Sequence, residues 1–242
     1  MELSIIDKDV SIIFPCYNES LIFEDSVKRI KSFMDSTELN YELIFVEDNG
    51  SDNTKELVKT VVKENKNFTA VFHKKNIGRG GSVSDGLKIA KGAVVGYLDI
   101  GLEISPSYIL KMYTVIEKSS DVACAYRAYE FKLIFFLRTF LHVAYAICSK
   151  FILGLPISDP NAGCKFFKRE KILPILEKVI DKHWFWDTEI VKRSQLAGLS
   201  ISEVNVIYIP NEKKTSTVKI FSDTIHFVKK LLWLRKELLV KK

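Results

Sequence analysis

Short apolar runs alternate with longer amphipathic stretches over the first hundred residues of the chain. Four runs are typical of buried strands: Val10–Phe14, Leu43–Val46, Thr69–Phe72 and Ala93–Leu98. The stretches between them are predicted to form helices: Glu19–Met34, Asn53–Lys63 and Gly80–Lys91. Strands that alternate with helices of this length predict an α/β fold with a mostly parallel sheet and helices on both faces.

The second half of the chain follows a different pattern. A short strand is predicted at Val122–Tyr126, followed by a long apolar-rich helix from about Phe131 to Leu153. Further elements follow the polar turn at residues 158–163: a strand at Cys164–Phe167, helices at Pro174–Asp181 and Thr188–Leu196, and a strand at Ile201–Ile209. We therefore expect one α/β domain over residues 1–212 that includes the long helix.

Length and composition agree with a single folded domain. The chain has 242 residues, of which 47% are hydrophobic and 27% are charged, as in globular proteins. Its start lacks the apolar run of a signal peptide, and no stretch reaches the roughly 18 uninterrupted apolar residues of a membrane span. The four cysteines show no metal-binding spacing. These features predict a cytoplasmic protein with reduced thiols.

The positive charge is concentrated in a C-terminal segment, residues 213–242. This segment has nine Lys or Arg residues against Asp223 and Glu237, a net charge of +7, whereas the whole chain has +6. Its apolar residues follow the spacing of an amphipathic helix. The segment is either a solvated charge run or a surface for an anionic membrane or a partner helix. The near-neutral remainder argues against a nucleic-acid-binding protein.

The predicted helix at about 131–153 favours the same membrane interpretation. Its polar residues fall within an arc of about 120°, and the rest of its circumference is apolar. Such a helix either belongs to the core or lies in a bilayer interface. Phe135, Phe136 and Arg138 suit an interface. We therefore expect peripheral attachment at the cytoplasmic face of a membrane.

Acidic residues follow three of the predicted strands. Glu19 lies beyond the first strand, Asp48 directly after the second, and Asp99 and Glu103 after the fourth. Because the carboxyl ends of parallel strands meet at the ligand-binding edge of such sheets, we expect these side chains to converge. Carboxylate oxygens favour Mg²⁺ or Mn²⁺ held against a diphosphate. The alternative is that Asp99 caps a turn and Glu103 is solvated.

A glycine-rich turn at residues 76–81 precedes the third predicted helix. Gly78 and Gly80 match the first two glycines of the dinucleotide-binding fingerprint, but Val83 stands at the third position. A nicotinamide-dependent oxidoreductase is therefore disfavoured. The backbone of the turn can still approach a phosphate group.

Five segments in order along the chain resemble a known family. They are SIIFPCYNES, LIFVEDNGSDNT, NIGRGGSVSDGLKIAKGAVVGYLDI, DPNAGCKFF and HWFWDTEI, within about residues 10–220. The chain resembles the family 2 glycosyltransferases of the GT-A fold, and it is similar to the dolichol-phosphate and polyprenyl-phosphate sugar synthases among them. The resemblance implies an inverting transfer of a sugar from a UDP- or GDP-sugar to a polyprenyl phosphate.

The resemblance also implies roles for residues on the donor side. Pro15, Tyr17 and Glu19 match the segment that holds the base and ribose of the donor. Asp48 matches the acidic residue that meets the nucleotide. Lys213 belongs to a basic stretch that corresponds to the family's C-terminal loop over the phosphates.

The metal motif of the family is only partly present. Asp99 matches the first aspartate of the D-x-D motif, but Gly101 stands where the second is expected. Glu103 falls where the synthases often place a glutamine that helps to bind the metal, and its added charge compensates for Gly101 in this hypothesis. The resemblance thus implies Mg²⁺ or Mn²⁺ at Asp99 and Glu103, with the metal dependence left open by Gly101.

Further matches lie near the diphosphate and on the acceptor side. Arg127 matches a basic residue near the diphosphate. Asp159 and Lys165 match the acceptor-side turn, and Asp187 and Glu189 match an acidic pair near the acceptor. The residues implied in catalysis are Asp99, Arg127 and Asp187.

Several alternatives remain open at this point. A phosphate acceptor is already ionised, so Asp187 would orient it, whereas a glycan hydroxyl needs a base and Asp187 is the candidate. Asp187 also fits the N-cap of the helix Thr188–Leu196. A degenerate nucleotide-sugar-binding protein without turnover is a further possibility, because Gly101 weakens the metal motif.

Overall fold

The computed structural model describes residues 8–129, 145, 147–211 and 220–240. Within these ranges the strands are β1 Lys8–Cys16, β2 Tyr41–Glu47, β3 Phe68–Phe72, β4 Gly92–Leu98, β5 Val122–Tyr129, β6 Cys164–Lys168 and β7 Ile201–Tyr208. The longer helices are α1 Phe23–Asp35, α2 Thr54–Glu64, α3 Arg79–Ile89, α4 Tyr108–Lys118, α5 Arg169–Leu176, α6 Trp186–Leu196 and α7 Ile220–Val240.

The strands form one sheet in the order β3-β2-β1-β4-β6-β5-β7. β1 pairs in parallel with β2 and β4, β2 pairs in parallel with β3, and β5 pairs in parallel with β7. β6 is antiparallel to both of its neighbours, β4 and β5. The prediction of an α/β fold with a mostly parallel sheet is confirmed, and β6 is the exception that joins its two parallel parts.

Helices cover both faces of the sheet, as the sequence predicted. One buried cluster receives side chains from α1, α2 and α4, including Phe23, Val58 and Met112. The other receives side chains from α3, α5, α6 and α7, including Leu87 and Ile190. Apolar burial on two faces explains why the strands of the sheet centre are continuous hydrophobic runs.

Two predicted helices have different bounds in the structure. α1 begins at Phe23 and not at Glu19, because the Glu19 carbonyl accepts hydrogen bonds from the amides of Ile22 and Phe23 and the preceding Asn18 is left-handed with φ of 54°. The helix predicted at Pro174–Asp181 is wrong. α5 instead starts before the proline and buries residues at helical spacing on its inner face: Ile172, Ile175 and Leu176.

The C-terminal helix α7 packs on the same domain. Leu231 and Leu234 are fully buried, and the Glu237 carboxylate accepts a hydrogen bond of 2.9 Å from Arg193 Nη2. The predicted boundary at residue 212 lies in the stretch 212–219, outside the described residues. Residues 130–144 and 146 of the predicted long helix also lie outside them, and residues 147–153 are helical. Over the described ranges, no helix has both the length and the apolar character needed to cross a membrane.

Adjacent leucines of α7 provide a test of this packing. Leu231→Ala is expected to lower the free energy of unfolding by about 2–5 kcal/mol, because it leaves a cavity in the core. Leu232→Ala is the matched control: Leu232 is 53% exposed, whereas Leu231 is 0% exposed. We expect a change within about 0.5 kcal/mol for the control in urea unfolding. Equal effects of the two substitutions would contradict the packing of α7 on the domain.

Candidate active site

Asp48 connects the end of β2 to the glycine-rich turn before α3. Its carboxylate accepts hydrogen bonds of 2.9 Å from the amides of Ile77 and Gly78, and Oδ1 lies 2.7 Å from His73 Nδ1. Gly78 has a φ of 95°, and a Cβ atom there would overlap His183. Asp48 therefore holds the turn in place, and this geometry requires glycine at position 78.

The predicted donor-side residues lie beside Asp48 at the ends of β1 and β2. The Asp48 amide donates to the Cys16 carbonyl at 2.9 Å, which brings the segment from Pro15 to Glu19 next to it. The Glu19 amide donates to Thr54 Oγ1 at 2.8 Å. Tyr17 is 44% exposed, so its ring is accessible at this edge. The structure thus brings Pro15, Tyr17, Glu19 and Asp48 together, as expected for neighbouring strand ends.

Asp99 follows β4 and contacts two residues from other elements. Its Oδ1 accepts a hydrogen bond of 2.8 Å from Arg79 Nε, and Arg79 Nη2 lies 2.7 Å from the same oxygen. The Asp99 amide donates to the Gly163 carbonyl at 3.0 Å. A Cβ atom at position 163 would overlap Asp99 Oδ2. Only glycine at position 163 therefore allows this orientation of the Asp99 carboxylate.

Asp187 lies in the first turn of α6 and is 1% exposed. Its Oδ2 accepts a hydrogen bond of 2.6 Å from Arg79 Nη1, and its Oδ1 accepts bonds from Lys165 Nζ at 2.9 Å and from the Tyr97 hydroxyl. The helix begins at Trp186 without a side-chain cap, so the N-cap interpretation of Asp187 is wrong.

The surroundings of Asp187 keep it ionised. Burial by itself raises the pKa of Asp187, but the charges of Lys165 and Arg79 and the hydrogen bond from Tyr97 outweigh burial and lower it from its ordinary value. Burial and the Asp187 charge raise the pKa of Tyr97 well above its ordinary value. Tyr97 is therefore a neutral hydrogen-bond donor to an anionic carboxylate. A carboxylate with a lowered pKa is a weak general base.

The turn after Asp99 directs a second carboxylate toward the missing position of the metal motif. Leu102 is left-handed with φ of 52°, an uncommon conformation for a bulky residue. Glu103 Oε2 consequently lies 2.5 Å from where a Cβ atom of residue 101 would be. The Glu103 carboxylate thus occupies space that a side chain at position 101 would take. This supports the hypothesis that Glu103 compensates for Gly101.

The residues of this turn fit a metal ion that is shared with a substrate. Over the described ranges, no group of three or more His, Cys, Asp or Glu side chains is arranged to hold a metal ion. Asp99 and Glu103 supply two carboxylates, and Mg²⁺ is commonly bound by one or two carboxylates together with water and substrate phosphates. The donor set is therefore adequate only when phosphate oxygens complete it.

Arg127 and Asp159 form a bidentate ion pair. Arg127 Nε and Nη2 donate to the two Asp159 oxygens at 2.7 and 2.9 Å, and the guanidinium lies 5.5 Å from the Tyr208 ring centroid. Asp159 belongs to the loop that also carries Gly163, which contacts Asp99. The loop therefore connects the Arg127 pair to the end of β4.

Comparison with known proteins shows which family the chain belongs to. The family model described as Glycosyl transferase family 2 matches residues 11–174, about two thirds of the chain. The chain belongs to glycosyltransferase family 2. The family expected from the sequence is thereby confirmed.

Curated relatives resemble this family 2 chain over part of their own length. Glycosyltransferase AglD of Haloferax volcanii is 27% identical over 84% of this chain and 33% of its own. The undecaprenyl-phosphate 4-deoxy-4-formamido-L-arabinose transferase of Yersinia enterocolitica is 30% identical over 50% of this chain and 38% of its own. The chain thus spans about a third of the length of these relatives.

Solved structures show the same fold. Glucosyl-3-phosphoglycerate synthase from Mycobacterium tuberculosis, in complex with Mn²⁺, UDP and glucosyl-3-phosphoglycerate, superposes with a TM-score of 0.69 at 16% identity, covering 97% of this chain and 82% of that one. Its complex with Mn²⁺ and UDP-glucose gives a TM-score of 0.70 at 16% identity, covering 94% and 79%. The GT-A fold of the family 2 chain is confirmed.

Glu189 and Lys213 are the remaining predicted site residues of the family 2 chain. The Glu189 carboxylate is fully buried and bonds to the amides of Ile180 and Asp181 and to the Arg193 guanidinium. These bonds connect α6 to the segment that precedes it, which gives Glu189 a structural role. Its acceptor-side role stays a prediction. Lys213 lies outside the described residues.

The sequence did not single out Arg79 or Tyr97. Arg79 links Asp99 to Asp187, and Tyr97 lies beneath it with its ring centroid 5.1 Å from the guanidinium. Their positions in the sequence could have indicated both residues. Arg79 follows Gly78 in the turn at the ligand-binding edge, and Tyr97 lies two residues before Asp99, which places both on the same side of the chain at the end of β4.

Substitution of Asp187 tests the buried ion pairs. Asp187→Asn is expected to lower the free energy of unfolding by about 3–5 kcal/mol at neutral pH, because it leaves the buried Lys165 ammonium without a counter-ion. The pKa of Asp187 is lowered from 3.8, so its stabilisation is complete above about pH 3.8 and is lost as the pH falls through the folded-state pKa. Urea unfolding at several pH values measures both effects.

The exposed pair of Glu56 and Lys59 on α2 provides the control. We expect Glu56→Gln to change the free energy of unfolding by less than about 1 kcal/mol. A deficit for Asp187→Asn that disappeared already near neutral pH would contradict the lowered pKa of Asp187.

Proposed function

We propose that this chain is an inverting glycosyltransferase that transfers a sugar from a UDP- or GDP-sugar to a polyprenyl (dolichyl) phosphate at the cytoplasmic face of a membrane. The observation that carries the proposal is the pair of carboxylates, Asp99 and Asp187, joined by one guanidinium at the ligand-binding edge of a GT-A sheet. Asp99 belongs to the donor side in this proposal and Asp187 to the acceptor side.

The donor side supplies binding and charge compensation. In this proposal Tyr17 and Asp48 belong to the base and ribose side of the donor site, and Asp99 and Glu103 would hold Mg²⁺ or Mn²⁺ on the diphosphate. Crystal structures of glucosyl-3-phosphoglycerate synthase contain Mn²⁺ with UDP and Mg²⁺ with UDP, which supports this assignment. Such an ion neutralises the charge that develops on a leaving nucleoside diphosphate. Arg127 belongs to the diphosphate side in this proposal, although its charge is compensated by the bidentate pair with Asp159 until a phosphate replaces that partner.

The acceptor side favours a phosphate over a hydroxyl. A phosphate acceptor is ionised at neutral pH and attacks the anomeric carbon without a general base. The lowered pKa of Asp187 makes it a weak base, which suits an acceptor that needs no deprotonation. The relatives named as undecaprenyl-phosphate transferases support the same choice. Asp187 then positions its cationic neighbours and does not remove a proton.

Two helices present a surface that suits a lipid membrane. Ile147 and Phe151 of the helical residues 147–153 are exposed, Phe151 to 84%, and so are Val228 and Leu232 of α7. The ring centroids of Tyr145 and Phe227 are 4.9 Å apart, so the two helical segments are in contact through these side chains. Basic residues accompany the apolar ones and are exposed on the same helices: Lys150, Lys229, Arg235 and Lys236. Apolar and basic side chains together match an anionic bilayer.

A transfer assay tests the proposed reaction. Incubation with radiolabelled UDP- or GDP-sugars, Mn²⁺ and polyprenyl phosphate is expected to move label into the organic phase on solvent extraction. Asp99→Asn is expected to reduce the rate by at least about a hundredfold, because it removes one carboxylate of the metal site. The Glu56→Gln variant serves as the control and should retain the rate of the unmodified chain.

Three results would contradict this reaction. Label that remained in the aqueous phase on a glycan would indicate a hydroxyl acceptor. Nucleotide binding without any transfer would indicate a binding protein. Full activity of Asp99→Asn would remove Asp99 from the site.

Charge substitutions on α7 test the membrane surface. The triple substitution of Lys229, Arg235 and Lys236 by Gln is expected to weaken binding to anionic vesicles by roughly tenfold or more, since each basic residue contributes on the order of 1 kcal/mol. The matched control replaces three exposed basic residues on the opposite face of the sheet: Lys28, Arg29 and Lys59. Vesicle sedimentation at two salt concentrations measures the effect, which should fall with salt. Equal losses in the two triple variants would contradict this surface.

A further inference from the structure

Arg79 occupies one carboxylate oxygen of Asp99, the residue that matches the first aspartate of the metal motif. Its Nε and Nη2 lie 2.8 and 2.7 Å from Asp99 Oδ1, and Nη1 lies 2.6 Å from Asp187 Oδ2. The guanidinium carbon lies 5.1 Å from the ring centroid of Tyr97 and 5.4 Å from that of Trp184. Its side chain is 10% exposed. A full positive charge is thus fixed against the first acidic residue of the metal motif.

We propose that Arg79 competes with the divalent cation for Asp99, so that the metal binds tightly only together with a nucleoside diphosphate. The inference rests on the proposed donor site and adds a control of metal binding to it. Arg79 is a positioning residue in this proposal, because it acts on the metal through Asp99.

The charges of the site favour competition. Position 101 carries no carboxylate and Glu103 is the second acidic side chain of the turn, so pairing of Arg79 with Asp99 neutralises part of the negative charge that would attract a divalent ion. Asp99 is 31% exposed and remains accessible to an ion from solvent. A guanidinium within hydrogen-bonding distance of the ligand oxygen repels such an ion and occupies one of its lone pairs.

A diphosphate can relieve this competition. Arg79 Nη2 is buried and lies 2.7 Å from Asp99 Oδ1, but this contact does not meet hydrogen-bond geometry. The poorly aligned contact can be exchanged for one to a phosphate oxygen, and a guanidinium binds phosphate in a bidentate manner. Asp187 keeps its bonds from Lys165 and Tyr97 when Arg79 turns toward a phosphate. Movement of Arg79 thus exposes Asp99 without leaving Asp187 unpaired.

Direct measurement of Mn²⁺ binding tests the proposal without any sugar transfer. Free Mn²⁺ is followed by electron paramagnetic resonance in the presence of the full chain, alone and with UDP or GDP. Arg79→Gln is expected to bind Mn²⁺ alone about tenfold more tightly than the unmodified chain, the factor that corresponds to one charge-assisted hydrogen bond. The enhancement of Mn²⁺ binding by the diphosphate should shrink correspondingly, because coupling between two ligands is reciprocal.

Other variants separate competition from a general effect on the fold. Arg79→Lys keeps the charge but loses the planar guanidinium, so its Mn²⁺ affinity should fall between those of the unmodified chain and Arg79→Gln. Arg29→Gln on α1 should bind Mn²⁺ unchanged. Asp99→Asn combined with Arg79→Gln should abolish the gain. Trp184→Ala removes a partly exposed ring from the guanidinium and should tighten Mn²⁺ binding severalfold, which provides a test if Arg79→Gln does not fold.

The outcomes distinguish this inference from the proposed function. Mn²⁺ binding that is no tighter in Arg79→Gln and Trp184→Ala overturns the inference, even if the chain transfers sugar. Tighter binding that depends on Asp99 supports it, even if no acceptor lipid is glycosylated. A gain that persists after Asp99→Asn places the ion elsewhere and also overturns it.

Discussion

The buried carboxylate of Asp187 determines how the ligand-binding edge is built. Removing a carboxylate from water costs several kcal/mol, and this cost is offset only when cations and donors surround it. Lys165 from β6, Tyr97 from β4 and Arg79 from α3 meet that requirement together. Three elements that are distant in sequence must therefore reach one point. The position of Asp99, which shares Arg79 with Asp187, follows from the same convergence.

Much of the fold could be predicted from local patterns. The runs Val10–Phe14 and Ala93–Leu98 are predictable as strands because burial on both faces leaves them almost entirely apolar, with the buried Ser11 hydrogen-bonded to Glu42. The insertion of β6 between β4 and β5 could not be predicted, because antiparallel pairing with strands so far away in sequence leaves no periodic signal. The start of α5 was also missed, since burial of Ile172 prevailed over the preference of Pro174 for a first helical turn.

The site was predictable where chain direction alone places a residue. Asp48 and Asp99 directly follow β2 and β4, so their placement at the same edge of the sheet followed from parallel topology. The partners of these carboxylates were not predictable. The contact of Arg79 with Asp187 depends on how α3 packs beside α6, and the direction of the Glu103 side chain depends on the left-handed backbone of Leu102. Such long-range contacts and rare dihedral angles cannot be predicted from the spacing of residue types along the sequence.

The Glu103 side chain folds back over Gly101. The position of its carboxylate oxygens in the turn therefore matters more for metal binding than the spacing of acidic residues in the sequence. A motif search restricted to two aspartates one residue apart would discard this chain, although a carboxylate fills the vacant volume above Gly101. In the hypothesis that Glu103 compensates for Gly101, the acidic residue missing at one position is replaced two residues further on. Pattern-based classification of such domains as inactive should therefore consider the backbone conformation at the intervening residue.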